Sequence, residues 1–165
     1  MAAMNLSKQI GGLVAWLAVT FAAAAIGAYA SIHAAEYYMQ LALPGWAPSP
    51  AAFGPVWSVL YVLMAVAAWL VWRVGGFAAA RAALTLFLLQ LALNALWSCL
   101  FFGAHRGLLA FADIVLLWLL IVATLIAFWR ARTIAGVLLV PYLLWVSFAG
   151  ALNYAVWQLN PQALG

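Results

Sequence analysis

The chain has 165 residues, 72% of them hydrophobic and 5% charged, with a mean hydropathy of +1.19, which excludes both an ordinary soluble domain and a disordered segment. Its formal charge of +4 comes from six Lys and Arg against two Asp and Glu; the cations sit at the ends of apolar runs, so they report membrane topology and give no reason to expect nucleic acid as a partner. The single cysteine, Cys99, excludes an internal disulfide.

Five apolar runs lie near residues 10–32, 53–74, 80–103, 107–130 and 134–158, each close to the roughly 20 residues that a bilayer core demands of a helix. They predict an all-α membrane protein, a bundle of five transmembrane helices forming one domain over 1–165, with a long first loop at 33–52. The runs are continuous and lack the alternation of a transmembrane barrel. Lys8, Arg73, Arg81, Arg130 and Arg132 fall on one side and Arg106 with Glu36 on the other. That asymmetry predicts a cytoplasmic N-terminus and an outside position for loop 33–52 and the C-terminus.

In the first predicted helix, Lys8, the apolar run and Ala28-Tyr29-Ala30 mimic a secretory signal. The run is longer than the roughly 7–15 residues of a signal's apolar region, so a retained helix is expected. Ala23, Gly27 and Ser31 recur every four residues and make a small-residue stripe where another backbone can approach closely.

The loop that follows is long for this chain, and such loops often carry function. Glu36–Gln40 reads as a short helical turn. Pro44, Pro48 and Pro50 then fix φ and remove donors, so the segment before Phe53 is neither regular helix nor central strand and must lie outside hydrocarbon or be packed on protein. Pro55 stands where the first turn of a helix tolerates it. Trp46 and Trp57 bracket this entrance.

The second predicted helix presents Trp57, Tyr61 and Met64 on one face. The third presents Gln90, Asn94, Trp97 and Phe101 at spacings of four, three and four. An unpaired amide in hydrocarbon costs several kcal/mol, so Gln90 and Asn94 must face protein, ligand or trapped water. The fourth carries Asp113 about 9 Å below its start by helix rise. An intramembrane carboxylate is a candidate polar or proton-handling site, with a structural contact to another helix as the alternative. Arg106 precedes it by two turns on the same face. The fifth offers Pro141, Trp145, Ala149, Leu152 and Asn153, and Pro141 frees a carbonyl one turn earlier.

These faces converge on a pocket in the loop-side half of the bundle, walled by aromatics and equipped with a few amides. Simple helix packing is the competing explanation of the same residues. His33 and His105 fall in loops without metal-ligand spacing, so no metal is expected. No nucleophile–base pair, phosphate loop or acidic dyad is present for hydrolytic or phosphoryl-transfer chemistry.

Pro44-Gly45-Trp46-Ala47-Pro48, Phe53-Gly54-Pro55-Val56-Trp57 with Leu60-Tyr61 and Met64, Leu93-Asn94-Ala95-Leu96-Trp97 with Phe101-Phe102, Val140-Pro141-Tyr142-Leu143-Leu144-Trp145 and Leu152-Asn153-Tyr154 together resemble the tryptophan-rich sensory protein family, TspO/MBR, which includes the mitochondrial translocator protein. The resemblance runs from about residue 20 to 158. It implies a five-helix membrane protein, often a homodimer, that binds porphyrins such as protoporphyrin IX or other planar hydrophobic molecules, with no obligatory cofactor. The lining it implies is Tyr38, Pro48, Phe53, Trp57, Asn94, Trp97, Trp145, Ala149 and Leu152, with Trp46 shaping the lid; Tyr61 joins them from its place on the Trp57 face.

In some bacterial relatives two tryptophans matching Trp57 and Trp145 are implicated in light- and oxygen-dependent porphyrin breakdown. A binding, carrying or scavenging protein and a porphyrin-degrading enzyme are therefore both open, with a transporter or regulator of lipophilic ligands such as sterols as a third reading. The cholesterol motif proposed for animal members ends in Lys or Arg. Leu152 to Asn160 contains neither, which suits a bacterial member in the inner membrane.

Overall fold

The computed structural model describes residues 5–165, and no strand occurs among them. Helix α1 (Leu6–Ala30) starts four residues before the apolar run because Asn5 caps it, its side-chain oxygen accepting from the Lys8 N–H at 2.9 Å. Capping acts on polar residues that hydropathy does not register. Three residues past Ser31, the loop begins with a helix of its own, α2 (Ala34–Gln40). An extended proline-rich run and one 3-10 turn (Pro50–Ala52) then lead into α3 (Phe53–Trp72), with Pro55 in its first turn.

A short α4 (Gly76–Ala79) turns the chain, with Gly76 at φ 78, the left-handed conformation that glycine adopts without strain. Helix α5 (Arg81–Ser98) runs on as a π turn (Cys99–Gly103). Helices α6 (Gly107–Ala131) and α7 (Thr133–Leu159) follow, and α8 (Pro161–Leu164) closes the chain. Pro141 sits inside α7 without interrupting it. Helices α1, α3, α5, α6 and α7, with their 3-10 and π extensions, are long and apolar enough to cross a bilayer. The protein is a multi-pass membrane protein in contact with lipid.

The five long helices close a ring: α1 packs on α3 and α5, α3 on α7, α7 on α6, and α6 on α5. Away from the loop the ring is filled. Met64, Ala67, Ala68, Val71, Leu84, Phe87 and Phe128 are fully buried there, and the alanines of α3 let neighbouring backbones come close. At Gly12 the approach is closer still. A Cβ there would collide with the Trp72 ring, while Trp69 on the preceding turn donates its indole N–H to the Gln9 carbonyl at 2.9 Å.

At the other end the loop folds over the ring on a second apolar cluster of Tyr38, Leu41, Phe101, Ala110, Leu152, Val156 and Leu164. Two contacts pin it to the bundle and one braces it within itself. The Asn160 amide accepts from the Ala42 N–H at 2.8 Å and donates to the Ala42 carbonyl at 2.9 Å. Tyr38 donates to the Pro48 carbonyl at 3.4 Å. Tyr37 stacks on His105 with centroids 4.0 Å apart. Burial pushes the Tyr37 and Tyr38 phenols above the ordinary tyrosine value, so both stay protonated at neutral pH.

Candidate functional site

Between the filled half of the ring and the loop lies a cavity of about 460 Å³, within the roughly 300–1,000 Å³ of small-molecule sites. Helix α3 contributes Trp57 and Tyr61 to its wall and Phe53 to its upper rim; α5 contributes Asn94 and Trp97, α7 Trp145 and Ala149, and α2 Tyr38 from above. These eight are sequence-predicted site residues, and the fold brings them to one cavity. The aromatic rings form a continuous wall: Tyr38 meets Phe53 at 5.7 Å, Phe53 meets Trp145 at 5.9 Å, and Trp145 meets Trp57 edge to face at 6.5 Å and 90°. Trp57 also leans on Tyr61 at 5.5 Å. Such contacts hold the indoles in defined orientations.

Four polar side chains lie end to end beneath the cavity. Tyr61 donates to the Asn94 carbonyl oxygen at 2.5 Å, the Asn94 amide donates to the Tyr142 hydroxyl at 3.1 Å, and Tyr142 donates to the Gln90 carbonyl oxygen at 2.7 Å. The amides recognised in the sequence thus face protein, as their desolvation cost requires. Only Tyr61 and Asn94 of this chain reach the cavity wall. Trp97 is oriented by Asn153, whose amide oxygen accepts its indole N–H at 2.9 Å, and Asn153 in turn donates to the Gly107 carbonyl at 3.4 Å. The Trp145 indole N–H is buried with no partner among the described residues.

Four expected residues lie elsewhere. Trp46 is half exposed and meets Phe148 at 5.7 Å on the flank of the lid. Pro48 touches the site only by accepting the Tyr38 hydrogen bond. Leu152 is buried under the loop, in the cluster with Tyr38 and Phe101. Asp113 is buried in α6, off the cavity wall, with one carboxylate oxygen unpartnered; no ion pair joins it to Arg106 among the described residues.

Sequence reasoning missed the contribution of α1. Phe21, Ala24, Gly27, Ala28 and Ser31 form one side of the cavity, so the small-residue stripe is ligand wall as well as packing face. Gly27 packs on α5, where a Cβ would lie 3.2 Å from the Ser98 hydroxyl. The π turn is a second omission. In it Phe101 is buried under the loop while the adjacent Phe102 joins the cavity wall.

Comparison with known proteins places this architecture among relatives. The sequence model of the TspO/MBR family matches residues 15–158. Protein CrtK of Rhodobacter capsulatus is 42% identical over 129 residues, covering 76% of this chain and 79% of its own. The tryptophan-rich protein TspO of Archaeoglobus fulgidus is 35% identical over 158 residues, covering 95% and 99%. The human translocator protein is 40% identical over 127 residues, covering 76% and 75%.

Proposed function

The chain belongs to the TspO/MBR family, and from that premise we propose that it binds a planar hydrophobic molecule, a porphyrin such as protoporphyrin IX, as a membrane sensor, carrier or scavenger. The names of its relatives, tryptophan-rich sensory protein and translocator protein, fit a membrane sensor or translocator. The observation that carries the ligand class is the perpendicular pair Trp57 and Trp145 on adjoining walls of a 460 Å³ cavity. A flat tetrapyrrole stacked on one indole meets the edge of the other, and aromatic contacts add about 0.5–1.5 kcal/mol each beyond area burial. Among the described residues no charged side chain lines the cavity, so the ligand body is apolar, with Asn94 and Tyr61 below it to orient a polar group.

Quenching of tryptophan fluorescence by protoporphyrin IX tests this reading, with Trp57→Phe and Trp145→Phe as the variants. A second reading, light- and oxygen-dependent degradation of the porphyrin, is favoured by the two oxidisable indoles, Trp57 and Trp145, that meet on the cavity wall. Either indole can give an electron to an excited porphyrin, with dioxygen as the final electron acceptor. Illumination under oxygen separates the two, since a binder yields no protein-dependent product. Insertion in a bacterial inner membrane with loop 33–52 outside, and assembly as a homodimer, belong to the same proposal; accessibility labelling of single cysteines and mass measurement in detergent test them.

A further inference from the structure

Helix α1 does not keep one neighbour along its length. Away from the loop it lies on α3, with Gly12 against Trp72 and the Gln9 carbonyl on the Trp69 indole. Near the loop it lies on α5, where Gly27 meets Ser98. The last ring contact between α1 and α3 is Phe21 with Tyr61, centroids 6.2 Å apart. Beyond it, toward the loop, residues of both helices face the cavity. The residues flanking the gap are small, Ala24 and Ala28 on α1 and Gly54 and Ser58 on α3, and all four line the cavity. Ala28, Gly54 and Ser58 are also exposed, and a Cβ built on Gly54 meets nothing within 4 Å. A side opening therefore leads from the cavity to the outer surface of two membrane-spanning helices.

The other ways in are obstructed. The lid is pinned by Asn160 on Ala42 and by Tyr37 on His105, and braced within itself by Tyr38 on Pro48. Trp145 stands between the cavity and an outer apolar groove along α3 and α7. Resting on the ligand-binding reading above, we propose that the cavity loads and empties sideways, through the cleft between α1 and α3, from the hydrocarbon of the bilayer. The ten residues from Phe21 to Ser31 span about 15 Å by helix rise, so the cleft extends well into the apolar slab. This narrows the ligand class to a flat, lipid-soluble molecule whose leading edge is uncharged, because a charge crossing this opening would be desolvated with no cation or anion on the rim to pair it. On a porphyrin the carboxylates trail.

The test uses the full chain in lipid vesicles and follows tryptophan quenching by protoporphyrin IX in stopped flow. Loading should scale with the porphyrin's mole fraction in the lipid. In Gly54→Phe, and separately in Ala28→Phe, loading and release should both slow by about tenfold, the mark of a blocked path, whereas damage to the bound state raises the release rate. Asn160→Ala, which frees the lid, should leave the loading rate unchanged. Unslowed loading in both Phe variants, faster release in them, or faster loading in Asn160→Ala would overturn the sideways route while leaving binding intact. Absence of quenching in the wild-type protein would instead overturn the ligand reading, and this route with it.

Discussion

The indoles of Trp57 and Trp145 meet edge to face, centroids 6.5 Å apart and planes at 90°, one from the first turns of α3 and the other from the middle of α7. The pair joins two walls of the cavity at a corner. Tyr142 holds Trp57 from behind at 6.2 Å, and Phe53 and Phe148 flank Trp145 at 5.9 and 5.5 Å. Each ring is thus bordered by further aromatics.

Asn94 connects the cavity floor to the core, so its loss should be felt in both. Asn94→Leu leaves the Tyr61 and Tyr142 hydroxyls short of a partner, at about 1–3 kcal/mol for a buried group left unsatisfied. Gln90→Leu should cost less stability, since it also removes an amide N–H that is already buried without a partner. Porphyrin affinity should fall in the first variant and hold in the second. Unfolding midpoints in detergent and quenching titrations give both readouts.

Asn160 fastens the lid by pairing with both backbone groups of Ala42. Asn160→Ala should lose about 1 kcal/mol for each hydrogen bond, concentrated in the loop. Limited proteolysis should cut the stretch between α2 and the 3-10 turn faster in the variant, while the long helices stay protected. Equal cleavage rates would show that the pairing does not hold the loop.

Asp113 lies off the cavity wall with one oxygen unpartnered. Asp113→Asn removes a group that is costly to bury charged and leaves the aromatic walls in place. Porphyrin affinity should stay within about twofold of wild type, well under the roughly 1.4 kcal/mol that a tenfold change represents. A larger loss would assign Asp113 a part in ligand or proton handling.

How much of this was legible in the sequence depended on whether the signal was local. The faces Trp57–Tyr61 and Asn94–Trp97 follow from helical period alone, and the cost of burying amides told that they point inward. The fifth-helix face offered Trp145 and Ala149 in the same way, and the family resemblance added Tyr38 and Phe53. The part played by α1 was not legible, because a stripe of small residues states that something approaches closely without stating what; here it serves α5 at Gly27 and the cavity at Ala24 and Ala28. The latch between Ala42 and Asn160 joins residues 118 apart, beyond any periodicity. Phe101 and Phe102, neighbours in the π turn, serve the loop cluster and the cavity wall respectively, a division that sequence spacing does not assign. Trp46, placed in the lid by motif, packs on the flank of α7 through Phe148, where the proline-rich run carries it.

The central claim is that Trp57 and Trp145 form the recognition corner of a porphyrin pocket, and the most direct measurement is equilibrium quenching by protoporphyrin IX in wild type, Trp57→Phe and Trp145→Phe, each corrected for the removed fluorophore. Each substitution should weaken binding by about three- to tenfold, as expected for the loss of one aromatic contact of about 0.5–1.5 kcal/mol. Undiminished affinity in both variants would contradict the account.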